Sequence, residues 1–187
     1  MHELNVTAES RITHSPVSKK QGHVHTIADS LITVIRQFNR CRRSDARRKA
    51  EQALASVLLP GRLMSAYPDQ LSGGEPQRAA VARALVCDPT VMICDEITSA
   101  LDVSVQAAII GLLADVQRQR SLGLLFVTHD LALVRSVADT VVVLANGRVV
   151  EQGPVDRVLA APEHDYTRQL LHRTPHMPAP SIPRPQP

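Results

Sequence analysis

Residues 88–172 alternate short apolar runs with longer stretches of helical periodicity. Strands are predicted at 90–94, 122–127 and 140–144, and helices at 103–120 and 130–138. Continuous apolar runs separated by helices are typical of strands that are buried on both faces of a parallel sheet. This part of the chain is therefore predicted to fold as an α/β unit, with a parallel sheet covered by helices.

The Asn146-Gly147 pair follows the last of these strands. Asn-Gly is the strongest short signal for a two-residue hairpin turn, because both residues tolerate a positive φ. We therefore expect an antiparallel strand at 148–151, added to the edge of the sheet. A last helix is predicted after Pro154.

The front of the chain has a different pattern. Apolar residues at helical spacing from Ile27 to Phe38 predict a first helix, and Ser44 with Asp45 is predicted to cap a second one. Three segments follow from these patterns: a disordered or loosely attached leader at 1–25, an α/β core at 88–172 and an extended proline-rich tail at 173–187.

Composition excludes several classes of protein. The three cysteines are odd in number and lack CxxC spacing, which argues against a disulfide framework or a zinc site. No apolar run approaches the roughly 20 residues that span a bilayer. We therefore expect a cytoplasmic protein, whose contact with a membrane would run through a partner.

A cluster of basic side chains is the one feature that suggests nucleic acid. Phe38 is the single aromatic residue within it, too few for a base-stacking surface, and Asp45 and Glu51 interrupt it. A solvated helix face is therefore the favoured interpretation, and no direct contact with nucleic acid is expected. The cluster consists of Arg36, Arg40, Arg42, Arg43, Arg47, Arg48 and Lys49.

A Ser-Gly-Gly loop opens directly into a helix at residues 71–78. Gly73 and Gly74 lack Cβ, so the backbone can turn sharply and its N–H groups can approach a ligand closely. Pro76 fits the first turn of the helix, where its missing N–H breaks no bond. Such donors at a positive helix end suit a phosphate group, although a plain turn and cap is the alternative.

Two apolar runs farther along the chain end in polar residues that suit phosphate chemistry. The first ends in Asp95 and Glu96, and the second ends in Thr128-His129-Asp130. A carboxylate at a strand end is a usual way to hold Mg²⁺ through water, and a neighbouring carboxylate can polarise an attacking water. Taken singly, these residues would be a surface acid, a turn cap and a histidine in a helix cap.

The order Leu-Ser-Gly-Gly, Asp-Glu, Ser-Ala-Leu-Asp and Thr-His-Asp resembles the carboxyl-terminal part of an ABC transporter ATP-binding subunit. The resemblance covers residues 25–172, and the segment 162–171 is similar to the end of oligopeptide and dipeptide importer ATPases. It implies a partial P-loop NTPase-like parallel sheet, covered by helices, together with a helical subdomain at 26–87 that carries the signature loop at its tip.

The same resemblance implies roles for individual residues. Glu96 would be the general base, His129 the γ-phosphate sensor and Asp95 the water-mediated Mg²⁺ ligand. Asp102 would lie in a loop that faces the dimer partner, and its alternative is an ordinary helix N-cap. The residues expected to bind ATP are Leu71, Ser72, Gly73, Gly74, Glu75 and Asp102.

Three departures from the family pattern stand out. A P-loop needs Gly-Lys-[Ser/Thr], yet none of the eight glycines precedes a lysine. Glu75 stands where the family commonly has Gln, and Ile97 replaces the usual Pro and is expected to loosen the turn. We therefore expect the chain to lack the first third of the family domain and to be inactive on its own.

The resemblance implies an ATP-binding and ATP-hydrolysing subunit of a peptide-class ABC transporter, with ATP and Mg²⁺ as cofactors. Its partners would be a second ATPase subunit and a transmembrane permease, which would hold it at the inner face of the cell membrane. The first alternative is a non-hydrolytic partner that completes or regulates another subunit's site. The second is a soluble ABC ATPase acting on nucleic acid or ribosomes.

Overall fold

The computed structural model describes residues 5–9, 25–98 and 101–173, with the backbone alone described at 5–9. The chain divides into two compact units between Val127 and Thr128. The boundary expected between residues 87 and 88 stays a prediction. The first unit contains β1 (Asn5–Glu9), α1 (Ile27–Phe38), α2 (Arg43–Ser56), α3 (Glu75–Leu85), β2 (Val91–Asp95), α4 (Val103–Arg120) and β3 (Gly123–Val127).

Helices α1, α2 and α3 pack against one another and form the helical part of the first unit. Thr26 caps α1, because its hydroxyl oxygen accepts a hydrogen bond from the Asp29 N–H at 3.1 Å. Leu31 and Ile35 of α1 are buried, as are the alanines Ala46 and Ala50 of α2. Small side chains at those positions let the helix axes approach closely.

The predicted cap of α2 by Ser44 and Asp45 is wrong. The helix begins at Arg43, and Arg42 occupies the N-cap position without a side-chain hydrogen bond. Asp45 lies in the first turn, where its carboxylate pairs with Arg48 at 3.2 Å. An acid in the first turn favours the helix through the macrodipole, so a separate cap is not required.

The sheet of the first unit has the strand order β1-β2-β3. β2 and β3 are parallel, as predicted, while β1 is antiparallel to β2, with Asn5 opposite Asp95. Residues 5–9 thus form a strand where a loosely attached leader was expected. Strands pair through main-chain hydrogen bonds, which do not require apolar residues at a regular spacing. The side-chain pattern of residues 5–9 therefore did not predict a strand. The other leader residues lie outside the described part of the chain.

Only one face of β2 and β3 is well covered within the first unit. Met92 and Cys94 are fully buried on that face. On the opposite face, the exposed fractions are 52% for Leu125 and 47% for Val127. Within this unit the second face of the strand pair is therefore less well covered than the first.

The second unit contains α5 (Leu131–Val137), β4 (Thr140–Ala145), β5 (Arg148–Pro154), α6 (Val155–Ala160) and α7 (Asp165–Arg173). The hairpin turn predicted at Asn146-Gly147 is confirmed, with φ values of +50° and +73°. Within the described residues β4 pairs with β5 alone, so it does not extend the parallel pair. A core of Val134, Val155 and Leu159 holds the unit together.

Helix α7 was not predicted, and a long-range contact fixes its start. The Glu151 carboxylate of β5 accepts hydrogen bonds from the N–H groups of Glu163 and His164, at 2.9 and 3.1 Å. A carboxylate bonded to N–H groups just before a helix stabilises that helix end. The proline-rich tail expected after α7 lies outside the described residues.

In the parts of the chain that the structure describes, no helix combines the length and apolar character needed to cross a membrane.

Candidate functional site

The Ser-Gly-Gly loop links a short 3-10 helix, Pro68–Gln70, to α3. Leu71 ends the short helix, and its N–H donates to the Pro68 carbonyl at 3.4 Å. Gly73 has a φ of +54°, and no atom lies within 4 Å of the place where a Cβ would stand. Gly73 is therefore required by its backbone conformation rather than by lack of space.

Glu75 folds back over this loop. One carboxylate oxygen, Oε2, accepts hydrogen bonds from the Ser72 N–H at 3.0 Å and from the Ser72 hydroxyl at 3.4 Å. The Glu75 N–H in turn donates to the Ser72 carbonyl at 3.0 Å. Ser72 and Glu75 are thus linked twice, once through the Glu75 carboxylate and once through the main chain. A negative charge thus already lies at the positive end of α3.

Gly74 is required for a different reason from Gly73. Its φ is −85°, which any residue can adopt. A Cβ at this position would, however, lie only 2.6 Å from Cγ1 of Val105 on α4 and 3.5 Å from Cδ1 of Ile109. The start of α3 therefore packs directly on the start of α4.

The other ends of these two helices are also in contact. The Arg120 guanidinium, at the end of α4, donates to the Leu85 carbonyl at the end of α3, at 3.4 Å. The N-terminal ends of α3 and α4 are in contact, and so are their C-terminal ends. The two helices therefore run in the same direction. Their positive N-terminal ends consequently lie on the same side of the first unit.

Sequence reasoning missed Arg78 as a residue that positions the loop. Its guanidinium donates to the Val57 carbonyl just beyond α2, at 3.1 Å. This bond ties the first turns of α3 to the preceding helix. Arg78 follows the loop closely in sequence, but nothing in the sequence shows that a carbonyl 21 residues earlier is its acceptor.

The two acids stand at the carboxyl ends of the parallel strands. Asp95 is the last residue of β2 and lies opposite Val127 of β3. Glu96 follows with a φ of +50°, and its N–H donates to the Val127 carbonyl at 2.9 Å. A residue with a Cβ adopts this left-handed conformation at a cost of about 1–2 kcal/mol. Such backbone strain is concentrated at functional sites.

The chain after Glu96 is firmly packed. Ile97 and Thr98 are buried, with exposed fractions of 3% and 6%. The buried Ile97 side chain holds a turn that was expected to be loosened by the absence of proline. Ser99 and Ala100 lie outside the described residues.

The acids fit a hydrated magnesium ion bound together with phosphate. Mg²⁺ usually keeps several waters and takes one or two carboxylates in addition to phosphate oxygens. Asp95 and Glu96 supply oxygen donors of that kind. The described residues contain no group of three or more acidic, histidine or cysteine side chains that would enclose a metal by themselves.

Asp102 is the N-cap of α4, which is the alternative role predicted for it from the sequence. Its Oδ1 accepts from the Ser104 hydroxyl at 2.6 Å and from the Val105 N–H at 2.9 Å. These bonds lower the pKa of the carboxyl group, with the Ser104 hydroxyl as the largest cause. Since Val105 also contacts the Gly74 position, Asp102 and the Ser-Gly-Gly loop lie at the same end of the α3–α4 pair.

His129 belongs to the second unit, where it is exposed in the turn before α5. Its two neighbours fix that turn. The Asp130 carboxylate accepts from the N–H groups of Ala132 and Leu133, and the Asp130 N–H donates to the Thr128 hydroxyl at 3.0 Å. The turn therefore holds the histidine backbone in a defined position at the start of a capped helix.

The predicted site residues thus fall into three groups. Ser72, Glu75 and Asp102 lie with the two glycines at the joined ends of α3 and α4. Asp95 and Glu96 lie at the carboxyl end of β2, and His129 lies in the second unit.

A family model described as "ABC transporter" matches residues 4–99 of the chain. Among curated proteins, the chain is 41% identical over 156 residues to "Glutathione import ATP-binding protein GsiA" of Escherichia coli (strain K12). It is 43% identical over 156 residues to "Putative peptide import ATP-binding protein BMEII0863" of Brucella melitensis. Both matches cover 82% of this chain, but only 25% and 46% of those relatives. The chain therefore spans less than half the length of either.

Solved structures show the same fold. A dimeric, post-hydrolysis structure of the ATP-binding cassette MJ0796 with ADP and Pi matches with a TM-score of 0.61 and 28% identity, over 70% of this chain and 56% of that one. A structure of cbiO1 from Clostridium perfringens, part of the ABC transporter complex cbiONQ, matches with a TM-score of 0.65 and 27% identity, over 82% of this chain and 59% of that one. The α/β class predicted from the sequence is confirmed.

Proposed function

Because the chain belongs to the ABC transporter family, we propose that it is an ATP-binding subunit of a peptide- or glutathione-class importer. In this proposal the Ser72-Gly73-Gly74 loop binds the phosphates of an ATP molecule held mainly by an intact partner subunit. The observation that carries the proposal is the loop itself, set by Gly73 at the N-terminal end of α3 and fixed against α4 through Gly74.

The physical support is electrostatic and geometric. Two helices start on the same side of the first unit, so two positive helix ends and their N–H donors face the same region. A triphosphate is the kind of ligand such an end favours. The close packing of Gly74 on Val105 keeps the loop from moving away from α4 when it meets a ligand.

The proposal of a partner is supported by the absence of a P-loop pattern from residues 1–187. A P-loop uses Gly-Lys-[Ser/Thr] to surround the phosphates and to supply a magnesium ligand, and none of the eight glycines here precedes a lysine. We therefore propose that an intact subunit supplies this element. The site would be composite, with each subunit contributing one side of the phosphate chain.

Catalytic roles are proposed for three residues of this chain. Glu96 would orient a water for in-line attack on the terminal phosphate, and its strained backbone lies directly after the end of β2. Asp95 would hold Mg²⁺ through water, and the ion would neutralise charge on the phosphates. His129 would donate a hydrogen bond to the terminal phosphate. These roles require a P-loop beside them.

A groove in the helical part of the first unit is the proposed contact for a permease. It has a volume of about 450 Å³ and lies where α1 and α2 begin. Ile32 and Met64 form part of its apolar lining, while Arg43, Arg47 and Asp29 line it with charges. An apolar lining beside charged groups suits a short amphipathic segment of a membrane partner. The subunit would then sit at the inner face of the cell membrane.

The nucleic-acid alternative is less well supported by the structure. Three arginines of the basic cluster make ion pairs with nearby acids: Arg47 with Glu51 and Arg48 with Asp45 within α2, and Arg43 with Asp29 of α1. These pairs reduce the positive potential that phosphate backbones require.

The proposal is tested by ATP-dependent association. The chain is mixed with an intact peptide-importer ATPase subunit, made unable to hydrolyse ATP, and sedimentation is recorded with and without ATP and Mg²⁺. Association only with ATP is expected, and Ser72→Ala is expected to weaken it. Ser65→Ala, at an exposed serine of the same unit, is the matched control.

Two results would contradict the proposal. The first is the same sedimentation with and without ATP. The second is ATP hydrolysis by the chain alone that is lost in Glu96→Gln, because the chain would then be a complete enzyme. The non-hydrolytic alternative is distinguished in a complex with a partner subunit that can hydrolyse ATP: if hydrolysis by that complex is unchanged by Glu96→Gln in this chain, the chain only completes or regulates its partner's site.

A further inference from the structure

We propose that Glu75 is a built-in competitor for phosphate at the Ser-Gly-Gly loop, which holds the loop in a self-capped state until a stronger anion displaces it. This inference rests on the proposed function of the loop. It adds a specificity-determining residue, because the loop's affinity for a nucleotide would be set by a side chain of the loop itself.

The geometry shows what the carboxylate occupies. A single oxygen of Glu75 accepts from both the main-chain N–H and the hydroxyl of Ser72, at 3.0 and 3.4 Å. These are the two donors that Ser72 can offer to a phosphate oxygen. A phosphate that uses either donor must therefore take it from Glu75.

Charge makes this competition stronger than a neutral cap would. Hydrogen bonds to an ionised acceptor are roughly twice as strong as neutral ones. The carboxylate also carries the same sign of charge as the incoming phosphate, and like charges at a few ångströms repel. A nucleotide must therefore both replace a charge-assisted bond and approach a negative group.

A glutamine at this position separates the two effects. A glutamine side chain also carries an oxygen acceptor, so Glu75→Gln keeps an acceptor for the Ser72 N–H and removes the charge. Glu75→Ala removes both the charge and the acceptor. Asp69→Asn, at an exposed acid in the short helix before the loop, removes one negative charge without touching Ser72.

The first experiment uses the chain alone with inorganic tripolyphosphate as the probe. Binding is followed by NMR through the amide signals of Ser72, Gly73 and Gly74. Glu75→Gln is expected to bind about tenfold more tightly than the unchanged chain, since a neutral cap is displaced more easily than a charge-assisted one. Asp69→Asn is expected to bind within about twofold of the unchanged chain.

Equal affinity of the unchanged chain and Glu75→Gln would overturn the inference, and so would an equal gain in Asp69→Asn, because net charge alone would then explain it. Thermal melts establish that each variant is folded. Glu75→Ala provides a second measurement: it too must bind tripolyphosphate more tightly than the unchanged chain if occupancy of Ser72 matters.

A second experiment distinguishes this inference from the proposed function. The same variants are tested for ATP-dependent association with the intact subunit. If Glu75→Gln binds tripolyphosphate more tightly but no variant associates with the subunit, the competitor role stands and the proposed function fails. If all variants associate equally with the subunit and bind the probe equally, the proposed function stands and the competitor role fails.

Discussion

Gly74 and Val105 are packed so closely that a single methyl group at position 74 would come within 2.6 Å of the Val105 Cγ1 atom. This contact joins the starts of α3 and α4. It therefore positions the Ser-Gly-Gly loop relative to the helix that Asp102 caps.

The first prediction concerns this contact. Gly74→Ala should lower the free energy of unfolding by about 1–3 kcal/mol, the usual cost of overpacking. Val105→Ala removes the methyl group that would clash, so the double variant should recover part of that loss. Urea unfolding of the four proteins measures the coupling. Gly61→Ala, at a glycine with open space around the Cβ position, is the control. Strict additivity of the two single changes would contradict the proposed clash.

The second prediction concerns the strained backbone of Glu96. Glu96→Gly should leave the free energy of unfolding unchanged or raise it, because relief of a cost of about 1–2 kcal/mol offsets the entropy of the added glycine. Gln52→Gly, at an exposed position in α2, should lower it by about 1 kcal/mol. Equal losses in the two variants, measured by urea unfolding, would show that position 96 is unstrained in solution.

The third prediction concerns pH. Burial raises the pKa of the Cys94 thiol from 9.0 to about 12. Below pH 9 the thiol is protonated in both folded and unfolded chains, so its contribution to stability is fully present there. Between pH 9 and 12 only the unfolded chain ionises at this group, so stability should fall by at most about 1.4 kcal/mol per pH unit.

Cys94→Ala removes the buried thiol, so its loss of stability between pH 9 and 12 should be smaller than that of Cys41→Ala. Cys41→Ala changes only a half-buried cysteine and leaves Cys94 in place. Alkylation followed by mass spectrometry gives a second readout. At pH 8 Cys41 should react first, and Cys94 should react only when the chain unfolds. Reaction of Cys94 at the rate of Cys41 in the folded chain would contradict the burial.

The fourth prediction separates two roles of Asp102. Asp102→Ala should lower the melting temperature through loss of the α4 cap, while Asp102→Ser should retain most of it, because serine is also a good N-cap. The carboxyl pKa is lowered, so the stabilising contribution is present above its ordinary value of 3.8 and is lost as the pH falls below it. Acid titration of the melting temperature measures this. If Asp102 also contacts a dimer partner, Asp102→Ser should weaken ATP-dependent association despite its normal melting temperature.

Local patterns in the sequence predicted the elements whose signals are local. Helix α4 begins and ends where the apolar spacing and the Asp102 cap place it. The β4–β5 hairpin follows directly from Asn146-Gly147. Each of these patterns involves only residues that are close in the chain, so it can be recognised without the tertiary structure.

The features that were missed depend on distant partners. β1 exists through main-chain pairing with β2, and α7 starts just after Glu163 and His164, whose N–H groups donate to Glu151. The requirement for glycine at position 74 also comes from another helix, because its φ is one that any residue can adopt and the space for a Cβ is taken by Val105 of α4. Sequence reasoning identified the residues of the candidate site, but not the bond from Ser72 to Glu75, because a side-chain rotamer decides it.

The uncovered apolar face of β3 has a practical consequence for the isolated first unit. Leu125 and Val127 lie on a strand whose only described partner is β2, so its other edge offers main-chain donors and acceptors beside exposed apolar side chains. Capture of that edge by another strand is bimolecular when the other strand belongs to a second molecule. The soluble lifetime of a preparation should therefore shorten as its concentration rises, and dilution should preserve it better than cooling.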